Sequence, residues 1–405
     1  MPGVLEGVKV IGFTQVVATP ACCAILADWG ADVIKVEPLW GDWQRNFASY
    51  LNTPLLLKYD KGDVQIHFEL LNRSKRSIAV NLRHERGREI MYKLLEDADV
   101  FAANYSIDVL EMFGLDYSSL QRCYPGLIYC LLTGYGTEGP LNRERGYDYT
   151  AAWSHGGPMS LIGEPGSAPP PQRPGMMDMV AGAHMVGGIC AALYYKQKTG
   201  KGQSLELSLY NTAAWTLGLD MQSALFGYPA PKADRRHAPN PMYNTYCSKD
   251  DRWVQTANPT QDYWAPFCKV LGKAEWENDP RYDTMESRAA NCEELIKLID
   301  QIMASRTMDE WEKRFRENDI VFGVTQTPTD ITTDKQAIAN DFFTEIEHPV
   351  AGKIRLLNTT IKFSETPAKI KNVAPSLGAH TEEILLDLGY TWEDMAGLKA
   401  QGVIP

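Results

Sequence analysis

Short runs of nearly continuous apolar residues punctuate the first two hundred positions: VKVIGFT (8–14), DVIKVE (32–37), SIAVNL (77–82), DVFAAN (99–104) and LIYCLLTG (127–134). Strands covered on both faces read this way, whereas strands with one wet face alternate apolar and polar. Between them lie stretches of helical period, such as ACCAILADWG and GREIMYKLLEDA. Strands alternating with helices predict a parallel, doubly wound α/β sheet of Rossmann type, with ligands beyond the carboxyl ends of the strands. Thr14–Pro20, Asn104 and the loop after Leu132 would occupy those ends. Residues 51–72 break the pattern and read as a surface excursion. A small-residue helix follows "RPGMMDMVAG" (173–182) and runs to Tyr195. The turn KQKTGKGQ then leads into the strand SLELSLY.

The texture changes near Phe226, where GYPAPKADRRHAPNP is rich in proline and charge. Short strands (RWVQTA) and amphipathic helices (CEELIKLIDQIMAS, MDEWEKRFREN) follow, as in a smaller α/β domain. The expected layout is a large domain from 1–210 and 330–405, a small domain at 226–320, and linkers at 211–225 and 321–329. No internal repeat is present.

Composition narrows the function. A formal net charge of −11, from 40 Lys plus Arg against 51 Asp plus Glu, argues against nucleic acid, which needs a basic surface. The eight cysteines include no C-x-x-C pair, as expected of reduced thiols in a cytoplasmic protein. The start MPGVLEGVKVIGF lacks the pattern of a secretory leader, and no uninterrupted apolar run matches a membrane span.

GYGTEG (134–139) formally matches a dinucleotide fingerprint, but Pro140 follows where a helix should begin to hold pyrophosphate. A glycine turn that brings backbone to a ligand remains open. No nucleophile elbow, phosphate-binding lysine loop or H-E-x-x-H motif occurs. Lys75 and Arg76 read as a solvated turn or as anion contacts. His155 is structural or at a site, and His184 reads as a packing residue. Asp178 sits in an apolar run and has two compatible readings. It can cap the helix that begins there, and it can carry chemistry at a helix N-terminus that favours an anion.

The ordered set GVKVIGFTQVVATPACCAILADWGADVIKVEP, NRSKRSIAVNL, ADVFAANY, LTGYGTEGP, GYDYTA, PGMMDMVAG, KTGKGQ and GAHTEEILLDLGY resembles the class III CoA-transferases, the formyl-CoA and carnitine CoA-transferase family, from about residue 5 to 395. The resemblance implies an interlocked homodimer, with a hetero-oligomer as the variant. It also implies acyl-CoA and a carboxylic acid as substrates, with coenzyme A as substrate rather than bound cofactor and no metal or redox group. Asp178 would be the nucleophile, passing through an aspartyl–acyl anhydride and an aspartyl-CoA thioester. Coenzyme A contacts would fall on Val16, Val17, Ala18, Lys75, Asn104, Gly134 and Tyr135, and the loop with Gly136 and Gly139 would stabilise the oxyanion.

Two departures stand out. Formyl-CoA transferase is basic where this chain has Met112 and Thr133, and its glycine-rich covering loop is replaced here by RRHAPNPMYN. That replacement, with GYDYTA and GGP, is similar to the branch acting on phenyllactate, 2-hydroxyisocaproate or benzylsuccinate-type acids. Two rivals share the pattern: alpha-methylacyl-CoA racemase, which pairs its aspartate with a histidine where this chain has Tyr147, and a non-catalytic CoA-binding subunit.

Overall fold

The structure, a computed structural model, describes residues 2–405. The chain forms two compact units. The larger comprises the chain up to Ser160 with Pro171–Pro229 and Ala339–Pro405, and the smaller comprises Leu161–Pro170 with Ala230–Ile338.

Six parallel strands organise the larger unit: β1 (Lys9–Phe13), β2 (Asp32–Glu37), β3 (Arg76–Ala79), β4 (Val100–Ala103), β5 (Ile128–Thr133) and β6 (Ser204–Ser208). Their order, β3-β2-β1-β4-β5-β6, reverses direction between β1 and β4, the switch point at which such sheets open a crevice. Successive residues serve opposite faces. Val10, Val33, Val100 and Ile128 pack with α1 (Ala18–Asp28), α3 (Met176–Thr199) and α4 (Leu209–Thr216), while Ile11, Ile34 and Phe101 pack with α2 (Glu85–Glu96) and the C-terminal helices Thr381–Asp387 and Trp392–Ala400. Both faces are therefore dry, which explains the unbroken apolar runs.

The α1–α3 pair sets the site and depends on close approach. A Cβ on Gly182 of α3 would lie 2.7 Å from the Ala18 carbonyl oxygen and 3.2 Å from the Ala21 Cβ. By length and hydropathy, 1.5 over its most apolar window, α3 resembles a membrane-crossing helix. Its apolar positions Met177, Ala181, Met185 and Ile189 are instead spent in the core, a use that a scan for unbroken apolar runs does not register.

The smaller unit is a three-stranded antiparallel sheet, Thr245–Cys247, Trp253–Thr256 and Phe322–Val324, with helices Trp264–Leu271, Cys292–Met303 and Met308–Glu317. Its core centres on Trp264, Phe267, Trp311 and Phe315.

The boundaries correct the expected layout. Residues 211–225 are not a linker, because the Ser208 side chain caps α4 at Asn211 and a second helix, Gly218–Leu225, follows in the larger unit. Residues 321–329 contain the third strand of the small sheet, and the smaller unit continues to Ile338. The excursion 51–72 is two short hairpins and a helix, Ile66–Asn72, whose Phe68 and Leu71 are buried.

Candidate active site

The switch point is built from polar groups that satisfy one another. Asn104, just past β4, accepts from the Gln15 N–H at 2.9 Å and donates to the Gln15 carbonyl at 2.8 Å. Val16 has φ +65°, a costly conformation for a β-branched residue. It is held by Asp42, whose carboxylate accepts the Val16 N–H at 3.0 and 3.2 Å. Asp42 is paired in turn with Lys35 at 2.7 Å, both side chains 1% exposed, and Lys35 also donates to the Thr14 carbonyl at 3.0 Å. Burial alone would raise the Asp42 carboxyl, but Lys35 and the backbone donors keep it below its usual range. Beyond the clamp, α1 starts with no side-chain cap and no acid in its first turn. Its first residues, Ala18 and Thr19, are buried while Val16 and Val17 are half-buried, so its first N–H groups are left for an anion that reaches them past Val16 and Val17.

The start of α3 is arranged differently. Gly175, with φ +79°, precedes the helix. Asp148, 5% exposed, accepts the N–H groups of Gly175 at 2.9 Å and Asp178 at 3.0 Å, with a further backbone bond from Met177. Asp148 is thus the cap, which corrects the capping reading of Asp178: the latter lies inside the first turn, where its own N–H is already spent. The Asp178 carboxylate accepts no hydrogen bond from the described residues. Burial, and then the nearby charge of Asp148, push its pKa up to about 7.

Glycine contacts join these parts. A Cβ on Gly134 would lie 2.6 Å from the Gly146 Cα, so the loop after β5 presses against the segment leading to Asp148, and a Cβ on Gly175 would meet Val17 at 3.5 Å. Asp148 begins a π-helical stretch, Asp148–His155. At its end His155 meets the rings of Tyr135 and Tyr210 edge-on, with centroids 5.4 and 4.6 Å away.

The structure therefore gathers Val16, Val17, Ala18, Asn104, Gly134, Tyr135 and Asp178 around the turn after β1 and the start of α3. It does not present Lys75. That side chain is 3% exposed and donates to the carbonyls of Pro20 (2.9 Å) and Leu71 (2.6 Å) and to Asn72 Oδ1 (3.0 Å). Burial lowers its pKa to about 7. It is an internal brace, neither a solvated turn nor a free cation. Arg76 is tied to Asp32, Glu383 and Asp387. The Gly136 N–H is already given to Thr133 Oγ1 at 2.9 Å, so it is not a free oxyanion donor, while Gly139 lies at φ +85° with open space around it. His184 is exposed.

A crevice of about 170 Å³ opens beyond β1, β2 and β3, with Phe13, Pro38, Trp40, Arg83, Tyr105 and Met112 in its lining. Asp178 is not part of it. Trp40 and Trp43, 66% and 67% exposed, stand at its mouth.

Residues 5–381 match the family model described as CoA-transferase family III. The chain belongs to this family. It is 36% identical over 401 residues to an (R)-2-hydroxy-4-methylpentanoate CoA-transferase of Clostridioides difficile, covering 99% of each chain. It is 34% identical to a cinnamoyl-CoA:phenyllactate CoA-transferase of Clostridium sporogenes, covering 97% of this chain and 95% of the relative. A crystal structure of a CAIB/BAIF family protein from Brucella suis superposes with a TM-score of 0.85 at 30% identity, covering 96% of this chain and all of that one. This family III protein is a CoA-transferase, as the resemblance implied.

Sequence reasoning missed two structural features beside the site, the Asp148 cap and the Lys35–Asp42 clamp, and did not single out Arg83, which lines the crevice. Asp148 stood in the quoted motif GYDYTA, but its capping role spans thirty residues and no local spacing reveals it. A buried Lys seven residues from an Asp across a strand end carries no periodic signal either.

Proposed function

We propose that this transferase moves CoA from an acyl-CoA to a carboxylic acid through Asp178. An Asp178 oxygen attacks the thioester carbonyl of the donor and expels CoA thiolate, leaving a mixed anhydride. The thiolate then attacks the aspartyl carbonyl, releasing the donor carboxylate and forming an aspartyl-CoA thioester. The acceptor carboxylate displaces CoA thiolate, and the thiolate attacks the acceptor's acyl carbon, which frees Asp178 and releases the new acyl-CoA. Charge balances throughout, and the thioester energy is kept from water.

The observation that carries this reading is the Asp178 carboxylate. It stands at a helix start with no hydrogen-bond partner among the described residues and with its ionised form destabilised by burial. A weakly solvated carboxylate is a better nucleophile than one held by donors. Asp148, by contrast, has its oxygens engaged.

The uncapped N-terminus of α1 suits the diphosphate of CoA, and the crevice with Trp40 and Tyr105 suits a purine ring, with Arg83 in the place of a cation that Met112 does not provide. The names of the two clostridial relatives support a 2-hydroxy acid with a branched or aryl side chain as acceptor. A second copy of the chain would cover the apolar surface of the larger unit formed by Trp215, Leu219, Leu225, Phe226 and Tyr228, each at least 73% exposed.

Turnover of Asp178→Ala with an acyl-CoA and a 2-hydroxy acid tests the reading. Loss of transfer with an unchanged circular dichroism spectrum supports it, and retained transfer sinks it. Exchange of the α-proton in deuterated water without any acceptor acid would point to racemisation instead.

A further inference from the structure

We propose that Arg173 is the cation that receives the carboxylate of the acceptor acid. The inference rests on the transferase reading of Asp178.

The site carries two carboxylates, Asp148 and Asp178, and no basic side chain is ion-paired with either among the described residues. A transferase whose acceptor is an acid must bring a third carboxylate against them, and must also hold the donor carboxylate that leaves. Without a cation, each of these approaches is repelled.

Most basic residues on the segments that build the site are already committed. Lys35 belongs to Asp42 and Lys75 to backbone carbonyls. Arg143 is tied to Asp108 and Glu111. Arg145 and Arg173 are exposed and make neither a hydrogen bond nor an ion pair among the described residues. Of the two, Arg173 lies on the segment tied to the Tyr50 and Tyr149 hydroxyls and leading directly into the helix of Asp178.

Its backbone is pinned on both sides. Before it, the Gln172 carbonyl accepts the hydroxyls of Tyr149 at 2.5 Å and Tyr50 at 3.4 Å, and those two rings stack with centroids 6.3 Å apart. After it, Pro174 restricts the chain and the Gly175 N–H lies on the Asp148 carboxylate at 2.9 Å. The side chain is therefore an exposed charge on a fixed base, three residues before the helix start and five before Asp178. The Tyr50 hydroxyl senses both charges, since burial raises its pKa, Arg173 opposes the rise and Asp148 adds to it.

A planar guanidinium can hold a carboxylate with two parallel hydrogen bonds. Beside the Tyr50–Tyr149 pair it would place an acid whose side chain lies against aromatic rings. It is a binding and positioning group, and it forms no covalent bond.

The test is steady-state kinetics of Arg173→Gln and Arg173→Lys, varying acyl-CoA and acid separately. Arg173→Gln should raise KM for the acid by about tenfold to a hundredfold, while KM for the acyl-CoA shifts less than about twofold. Arg173→Lys should recover part of the loss, because charge returns without the planar fork. An unchanged acid KM in Arg173→Gln overturns the proposal, as does an equal rise for both substrates. The same assay on Asp178→Ala separates the two claims. If that variant stays active while Arg173→Gln still weakens the acid alone, the nucleophile is misassigned and Arg173 stands. If Asp178→Ala is dead and the acid KM of Arg173→Gln is normal, Arg173 falls and the nucleophile stands.

Discussion

Asp148 and Asp178 stand at the same helix end and have opposite surroundings. Asp148 is buried and accepts backbone N–H groups from Gly175 and Asp178, so its charge is spent on holding the start of α3. Asp178 lies inside the first turn, half-buried, with no donor on its oxygens among the described residues. The difference separates structural from reactive acids. A carboxylate surrounded by donors is stabilised and unreactive, whereas one packed against apolar groups and a like charge remains available for attack. The first also makes the second possible: Asp148 satisfies the helix start, so Asp178 is not needed there.

The largest expected effect breaks the pair at the reactive member. Asp178→Ala should lower kcat/KM by about a thousandfold or more, with no loss of thermal stability, since no hydrogen bond to the carboxylate is lost. Asp148→Asn should do the reverse. It leaves the nucleophile but weakens the helix start by about 1–2 kcal/mol, a drop in Tm of several degrees by calorimetry, with activity falling about tenfold to a hundredfold.

The pH profile sharpens the same contrast. Asp178 must be ionised to attack, and its pKa is raised to about 7 by burial and by Asp148. At saturating acceptor acid, kcat/KM for the acyl-CoA should therefore rise with pH through about 7. Asp148→Asn removes the like charge, so the midpoint should move to lower pH; a profile flat from pH 5 to 8 would contradict the placement of Asp178.

The smallest effect is on stability. A carboxyl raised in the folded state costs nothing below its unfolded pKa of about 4, and costs progressively more up to its folded pKa near 7. Asp178→Asn should leave the free energy of unfolding nearly unchanged at pH 4 and raise it at pH 8, by on the order of 2 kcal/mol after allowance for partial exposure, read as a higher Tm.

The core was legible from the chain because it follows from a local pattern, whereas local pattern offered Asp178 only as a cap or a reactive acid and the resemblance alone implied the nucleophile. Continuous apolar runs gave the doubly covered sheet, and an acid in an apolar run marked position 178. What was not legible depends on contacts distant in sequence. Lys75 read as a surface turn because NRSKRS is polar, yet α1 and the helix Ile66–Asn72 supply its three acceptors. Residues 211–225 were placed as a linker, yet they complete α4 and add a second helix whose Leu219 and Leu225 are 88% and 77% exposed. Gly136 read as an oxyanion donor, but the hydroxyl of Thr133, three residues earlier, takes its N–H.

Trapping the enzyme during turnover tests the central claim most directly. Incubation with an acyl-CoA and hydroxylamine, followed by peptide mass spectrometry, should convert Asp178 to its hydroxamate, because only an activated acyl group reacts. Label on Asp178 that depends on acyl-CoA is the expected result. Label on another residue, or none while CoA transfer proceeds, would show that the acyl group travels by a route without Asp178.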